Sequence, residues 1–189
     1  MRLPLIAPAE MDPSQRALYD DIMAGIGKRF TAFQTTDPAT GALIGPWNAM
    51  LHEPASGAPM WALSRETAAA SLLPAKVREV AILVVGAHFN AAYELYAHAA
   101  VGKSVGLTTE QIAMLCAGQR PHDLAPQEAV AFDAAHCLLN GGPLPAALYH
   151  ELIAVLGRRE TNQLFFLIGI YCSVSMLLNA HNVPAPELA

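Results

Sequence analysis

Apolar positions recur every three to four residues along most of this chain, and the interruptions fall at glycine and proline. That pattern predicts a succession of helices. Asp12, Pro13 and Gln15 supply an N-cap, a proline at the first helical position and a capping-box partner, so a helix is expected over 13–24, ended by Gly25 and Gly27. Residues 30–45 lack periodicity and carry Thr, Asp, Pro and Gly, the composition of a loop able to cover or line a site. A helical turn over 47–51 and a helix over 58–70 follow, with Leu72, Leu73 and Pro74 as a breaker.

Pro74 opens a central pair of helices. Val77, Val80, Ala81, Val84 and Val85 form the buried stripe of the first, and Tyr93, Ala97, Ala100 and Val101 that of the second. The run 80–85 also suits a strand, but no second strand exists to pair with it, and helix is preferred. Thr108 with Gln111 makes a capping box for a helix to Ala117, and 126–139, 145–156 and 160–181 complete the set, with Gly141, Gly142 and Gly157 between them. The tail 184–189 reads as extended. The expected fold class is all-α: a compact multi-helix bundle, with an N-terminal helix and loop over 1–45 and a helical core over 74–182 within one domain of 189 residues.

The central pair holds the candidate chemistry. Glu94 and His98 stand four apart on one helix face and can set each other's protonation. Glu79 and His98 are equally far from the junction of His88 and Phe89. An antiparallel hairpin turning there, favoured by Gly86 and Asn90, brings them level, whereas one unbroken helix would separate them by roughly 28 Å. The bland alternative for Glu94 and His98 is an i,i+4 pair contributing only ~0.3–0.5 kcal/mol. Arg78 and Glu79 read equally as a structural ion pair. A metal reading would use His88, Glu94 and His98, but no H-E-x-x-H or cysteine-rich signature accompanies them, and neither metal nor cofactor is expected. The remaining histidines are too dispersed to read as ligands.

Composition narrows the partners. A hydrophobic content of 53% suits a sizeable core, and a net charge of −5 with 11 scattered Lys and Arg argues against nucleic acid or an anionic membrane. The apolar run 164–180 contains Tyr171, Ser173, Ser175 and Asn179 and reads as a core or subunit-interface helix rather than a membrane span. Three cysteines outside any C-x-x-C, and an N-terminus too interrupted for a signal peptide, make the cytoplasm the expected compartment.

Arg78-Glu79 with Ile82-Leu83, then Tyr93-Glu94-Leu95-Tyr96-Ala97-His98, then Gly106-Leu107-Thr108-Thr109-Glu110-Gln111-Ile112 resemble the carboxymuconolactone decarboxylase family. Segments 45–52 and 178–184 extend the likeness along most of the chain. The related alkylhydroperoxidase-D-like enzymes use C-x-x-C-x-x-x-H with an upstream glutamate. His98 and Glu79 match the histidine and glutamate, but Ala91 and Glu94 occupy the cysteine positions, leaving thiol chemistry without its nucleophile.

The resemblance implies a helical fold assembled as trimers or hexamers, and a cofactor-independent lyase or isomerase acting on a small carboxylated lactone or related aromatic-degradation intermediate. Glu79, Glu94 and His98 are then the expected catalytic residues, with His98 donating a proton, Glu94 orienting it and Glu79 positioning water or substrate. Arg78, Trp47, His88, Tyr93 and Tyr171 are the expected substrate contacts. The competing readings are a non-catalytic oligomeric ligand-binding protein and a metal-dependent enzyme using Glu94 and His98.

Overall fold

The structure, a computed structural model, describes residues 1–27 and 31–186. Phe30, where the expected loop begins, and residues 187–189 of the expected tail lie outside the described residues. After a 3-10 turn at Pro8–Glu10 come α1 (Pro13–Ile26), α2 (Pro46–His52), α3 (Pro54–Ala69), α4 (Ala75–Phe89), α5 (Ala92–Ser104), α6 (Thr109–Cys116), α7 (Pro126–Leu139), α8 (Ala146–Leu156) and α9 (Arg158–Ala180). Extended pairing among the described residues is confined to a bridge between Thr36 and Leu43, so the 80–85 run is helical.

Local signals set most boundaries. Asp12 caps α1 by accepting from the Ser14 and Gln15 amides, and Thr108 caps α6 by accepting from the Gln111 amide. Among the boundaries that differ from expectation, two have a clear cause. α1 continues through Gly25 to Ile26, because Gly25 serves a packing need: a Cβ there would collide with the Trp61 indole of α3. α3 starts at Pro54 rather than near Ala58, since proline suits a first helical turn.

The turn between α4 and α5 forms at Asn90, in the left-handed region at φ 49°, where its amide donates to the Ala87 carbonyl and the Ala91 amide donates to the Gly86 carbonyl. A Cβ on Gly86 would come within 3.1 Å of Leu95, so the glycine admits α5 closely against α4. Asn179 of α9 donates to the Phe89 carbonyl at 2.6 Å and ties the far end of α9 to this corner.

α4 is the centre of the bundle, packed by α5, α6, α7 and α9, with Val80, Leu83 and Val85 wholly buried. One apolar core joins α4 to α7, α8 and the first half of α9. A second joins α1, α2, Trp61 of α3 and Tyr93 of α5 to the second half of α9. Ala100 and Val101, expected in the core, are half-buried. α9 is long and apolar enough by length and composition to cross a membrane, but here it packs along α4 through Leu164, Ile168 and their neighbours. Phe166 and Met176 are left exposed.

Candidate functional site

Antiparallel packing of α4 against α5 brings Glu79 to His98, with the turn at Asn90 rather than at the expected His88–Phe89 junction. His98 Nδ1 lies 2.6 Å from Glu79 Oε2, and its Nε2 lies 3.2 Å from Glu94 Oε1 on its own helix. All three side chains are buried, with exposures of 2% for Glu79, 3% for Glu94 and 7% for His98. A surface i,i+4 pair is therefore not what Glu94 and His98 form. The two contacts differ in kind: the Glu79 contact is a hydrogen bond, whereas the Glu94 contact is an ion-pair approach, and its buried Oε1 has no hydrogen-bond partner among the described residues.

The electrostatics follow from this arrangement. Burial alone would discharge the His98 imidazolium, but the Glu79 and Glu94 carboxylates and the Glu79 hydrogen bond outweigh it, against a small opposing effect of Arg78, so the ring holds its proton above its ordinary range. Burial pushes Glu94 up to about 7; His98 opposes the rise and Glu79 reinforces it. Burial and the nearby carboxylates likewise raise the Tyr171 hydroxyl well above its ordinary value. The cluster is thus an imidazole whose charged form Glu79 favours, beside a carboxyl that gains or loses a proton near neutral pH.

Two adjoining cavities share this cluster. The larger, about 260 Å³, borders Arg78, Glu79, His98 and Tyr171, with Ser64, Thr67 and Ser71 from the α3 side. The smaller, about 90 Å³, borders Glu94, His98 and Tyr171 together with Phe33, Trp47, Trp61 and Tyr93. The His98 and Tyr171 rings meet edge to face at 5.0 Å and stand where the two spaces join. Half-buried Arg78 makes no hydrogen bond or ion pair among the described residues, so the Arg78–Glu79 ion pair, left open as an alternative by the sequence, does not form: Glu79 turns to His98, and Arg78 borders the larger cavity.

Trp47 and Tyr93 border the smaller cavity as expected, packed edge to face at 6.4 Å. Tyr93 donates its hydroxyl hydrogen to the Gln34 carbonyl at 2.8 Å, anchoring the 31–45 segment, and Phe33 of that segment forms part of the cavity wall. His88 does not join them. It is exposed at the end of α4, edge to face with Phe89, and borders neither cavity. A ligand set of His88, Glu94 and His98 is therefore not assembled, and among the described residues no three His, Cys, Asp or Glu are grouped to hold a metal.

Several residues escaped sequence reasoning. Trp61, Ser64 and Thr67 on α3 face the cavities, and no motif or periodicity marked them. Gln163 borders the larger cavity while bonding the Leu72 amide and the Ala70 carbonyl, each at 2.8 Å, which clamps the α3–α4 connection. Asn48 and Asn179 are structural. Asn48 bonds Pro4 and Ile6, and Asn179 bonds the Phe89 carbonyl. All three cysteines are free, and burial raises the Cys116 and Cys172 thiols, making them poor nucleophiles.

Residues 54–136 match the carboxymuconolactone decarboxylase family. No curated protein sequence matches the chain. Among solved structures, the chain is similar to one described as the alkylhydroperoxidase AhpD core of an uncharacterized peroxidase-related protein from Ralstonia eutropha JMP134, with a TM-score of 0.77 and 13% identity over 98% of this chain and 92% of that one. Likeness at that identity speaks for the fold.

Proposed function

We infer that this chain, which carries a carboxymuconolactone decarboxylase family segment on an alkylhydroperoxidase-D-like helical fold, is an acid–base enzyme acting on a small carboxylated molecule. Its proposed reaction is the carbon–carbon lyase type that the family's name describes. The observation that supports this most strongly is the buried Glu79–His98–Glu94 cluster at the junction of two cavities, one of them bordered by an arginine with no hydrogen bond or ion pair among the described residues. Perturbed titratable groups in a concave site are the ordinary mark of proton-transfer chemistry.

The geometry distributes the roles differently from the sequence expectation. Glu79 makes the short bond to Nδ1, so it orients His98 and stabilises its charged form. Glu94, with an unpartnered oxygen and a pKa of about 7, is the proposed proton carrier. Arg78 holds a substrate carboxylate that the reaction retains. The bond from a second carboxyl group to its carbon breaks, carbon dioxide leaves, and the electron pair passes to a neighbouring carbonyl as an enolate. The His98 imidazolium stabilises that charge, and Glu94 delivers a proton to carbon before recovering one from solvent. The negative net charge is no obstacle, because Arg78 makes the larger cavity locally positive.

The proposal extends to assembly as a homo-oligomer. Leu63 of α3 and Phe166 and Met176 of α9 are exposed, and Leu63, Phe165 and Phe166 border a shallow apolar groove of about 430 Å³.

Purified protein incubated with γ-carboxymuconolactone and related lactones tests the activity by carbon dioxide release. Release by the native chain and its loss in a folded His98→Ala variant are the expected results. No release from any of these substrates, or undiminished release from His98→Ala, overturns the proposal.

A further inference from the structure

A decarboxylation that moves an electron pair onto a carbonyl oxygen needs a hydrogen-bond donor at that oxygen. His98 is poorly placed to be the donor. Its Nδ1 lies 2.6 Å from Glu79 Oε2 and its Nε2 lies 3.2 Å from Glu94 Oε1. Both ring nitrogens face carboxylates, so the imidazolium acts on a substrate through its charge rather than through a free N–H.

Tyr171 of α9 stands against that ring, edge to face at 5.0 Å, and borders both cavities. Other tyrosines near the site have committed their hydroxyls to backbone. Tyr19 and Tyr93 donate to the Gly41 and Gln34 carbonyls, and Tyr96 accepts from the Gln34 amide. The Tyr171 hydroxyl makes no hydrogen bond among the described residues. It is also not sealed in protein: the fully buried, unpartnered side-chain atoms there are Trp61 Nε1, Glu94 Oε1 and Ser175 Oγ. The hydroxyl of half-buried Tyr171 therefore stays open to the spaces the residue borders. Burial and the Glu94 and Glu79 carboxylates hold it protonated well above the ordinary range, so towards a negative oxygen it is a donor at neutral pH.

We propose that Tyr171 is the oxyanion donor of this site, its hydroxyl binding the carbonyl oxygen that takes up negative charge as carbon dioxide leaves. This deepens the acid–base reading and rests on it. The hydroxyl keeps its proton throughout, and the proton that reaches carbon comes from Glu94. The substrate class narrows accordingly. Arg78 and Tyr171 border one cavity of about 260 Å³ whose other walls include Leu73, Ile82 and Leu167. That volume is below the ~300 Å³ at which pockets for drug-sized ligands begin, and it suits a small aliphatic ring bearing both a carboxylate and a ketone or lactone carbonyl.

The test needs no turnover. The probes are 3-oxocyclopentanecarboxylate and cyclopentanecarboxylate, which differ in the ketone oxygen. In the native protein the ketone stretch of the bound oxo probe is expected at or below its wavenumber in water. In Tyr171→Phe, which keeps the ring against His98, it should rise towards its position in an apolar solvent. The same variant should bind the oxo probe about three- to tenfold more weakly and leave cyclopentanecarboxylate unaffected. Ser64 also borders both cavities, and Ser64→Ala should leave the stretch unmoved. No saturable binding of the oxo probe, or an apolar-like stretch in the native protein, overturns the inference whether or not the variant folds. So does a stretch that Tyr171→Phe does not move, or one that Ser64→Ala moves instead. With a lactone that releases carbon dioxide, Tyr171→Phe should lower kcat about 10²-fold, further than it raises KM, and an undiminished kcat also overturns the inference. Failure of carbon dioxide release with the infrared pattern intact overturns the acid–base reading alone.

Discussion

Glu79 and His98, 19 residues apart and on different helices, meet through a 2.6 Å bond between Oε2 and Nδ1 inside the protein. A carboxylate on the most buried helix of a bundle is expensive unless a charged partner meets it. Glu79→Gln keeps the shape and removes the charge. The His98 titration midpoint is expected to move down, checked by NMR of the ring protons, and the rate to fall by about 10²-fold or more. An unmoved midpoint would refute the role of Glu79 in holding the imidazolium.

Glu94 links proton transfer to stability. Its pKa is about 7 in the folded protein against 4.5 for the free side chain, so the folded state binds more protons between those values and stability falls as pH rises through that window. The raised His98 pKa acts in the same direction: its contribution is full below the unfolded value and is lost as pH climbs through the folded one. Glu94→Gln is expected to flatten the decline between about pH 5 and 8 and to stabilise the protein at pH 8 by up to about 3 kcal/mol. Melting temperatures across that range provide the check.

Arg78 separates binding from folding. Because it makes no hydrogen bond or ion pair among the described residues, Arg78→Met should leave the melting temperature nearly unchanged. KM for a carboxylated substrate should rise about tenfold to 10²-fold, corresponding to a lost charge-assisted bond of about 1.5–3 kcal/mol. Steady-state kinetics beside a thermal melt distinguishes this from a structural defect.

Gly45 is constrained twice, by φ of +66° and by the Tyr93 ring lying where a Cβ would project. Gly45→Ala is expected to destabilise the protein by about 1–3 kcal/mol. The same change should disturb the Tyr93 wall of the smaller cavity. Denaturant unfolding, followed with the two tryptophans as reporters, measures it.

Phe166 is 65% exposed on α9. Phe166→Asp is expected to shift the proposed oligomer to smaller species in sedimentation velocity while leaving the helical content of each subunit unchanged. An unchanged distribution would place the interface elsewhere.

Much of the architecture was legible from short-range chemistry: the capping boxes at Asp12 and Thr108, the proline starts, and the Asn90 turn that makes the α4–α5 hairpin. These signals work within a few residues, so the linear chain carries them whole. Counting outward from the His88–Phe89 junction, just before that turn, placed Glu79 near His98, and the i,i+4 spacing placed Glu94 beside it. What the chain alone could not show was which carboxylate makes the short bond, because that depends on angles between two packed helices. Nor could it show that Arg78 turns from Glu79 toward a cavity, or that His88 stays outside. Trp61 had no local mark at all. Its place in the cavity wall arises from α3 lying across α1 and α9, where Gly25 makes room for the indole.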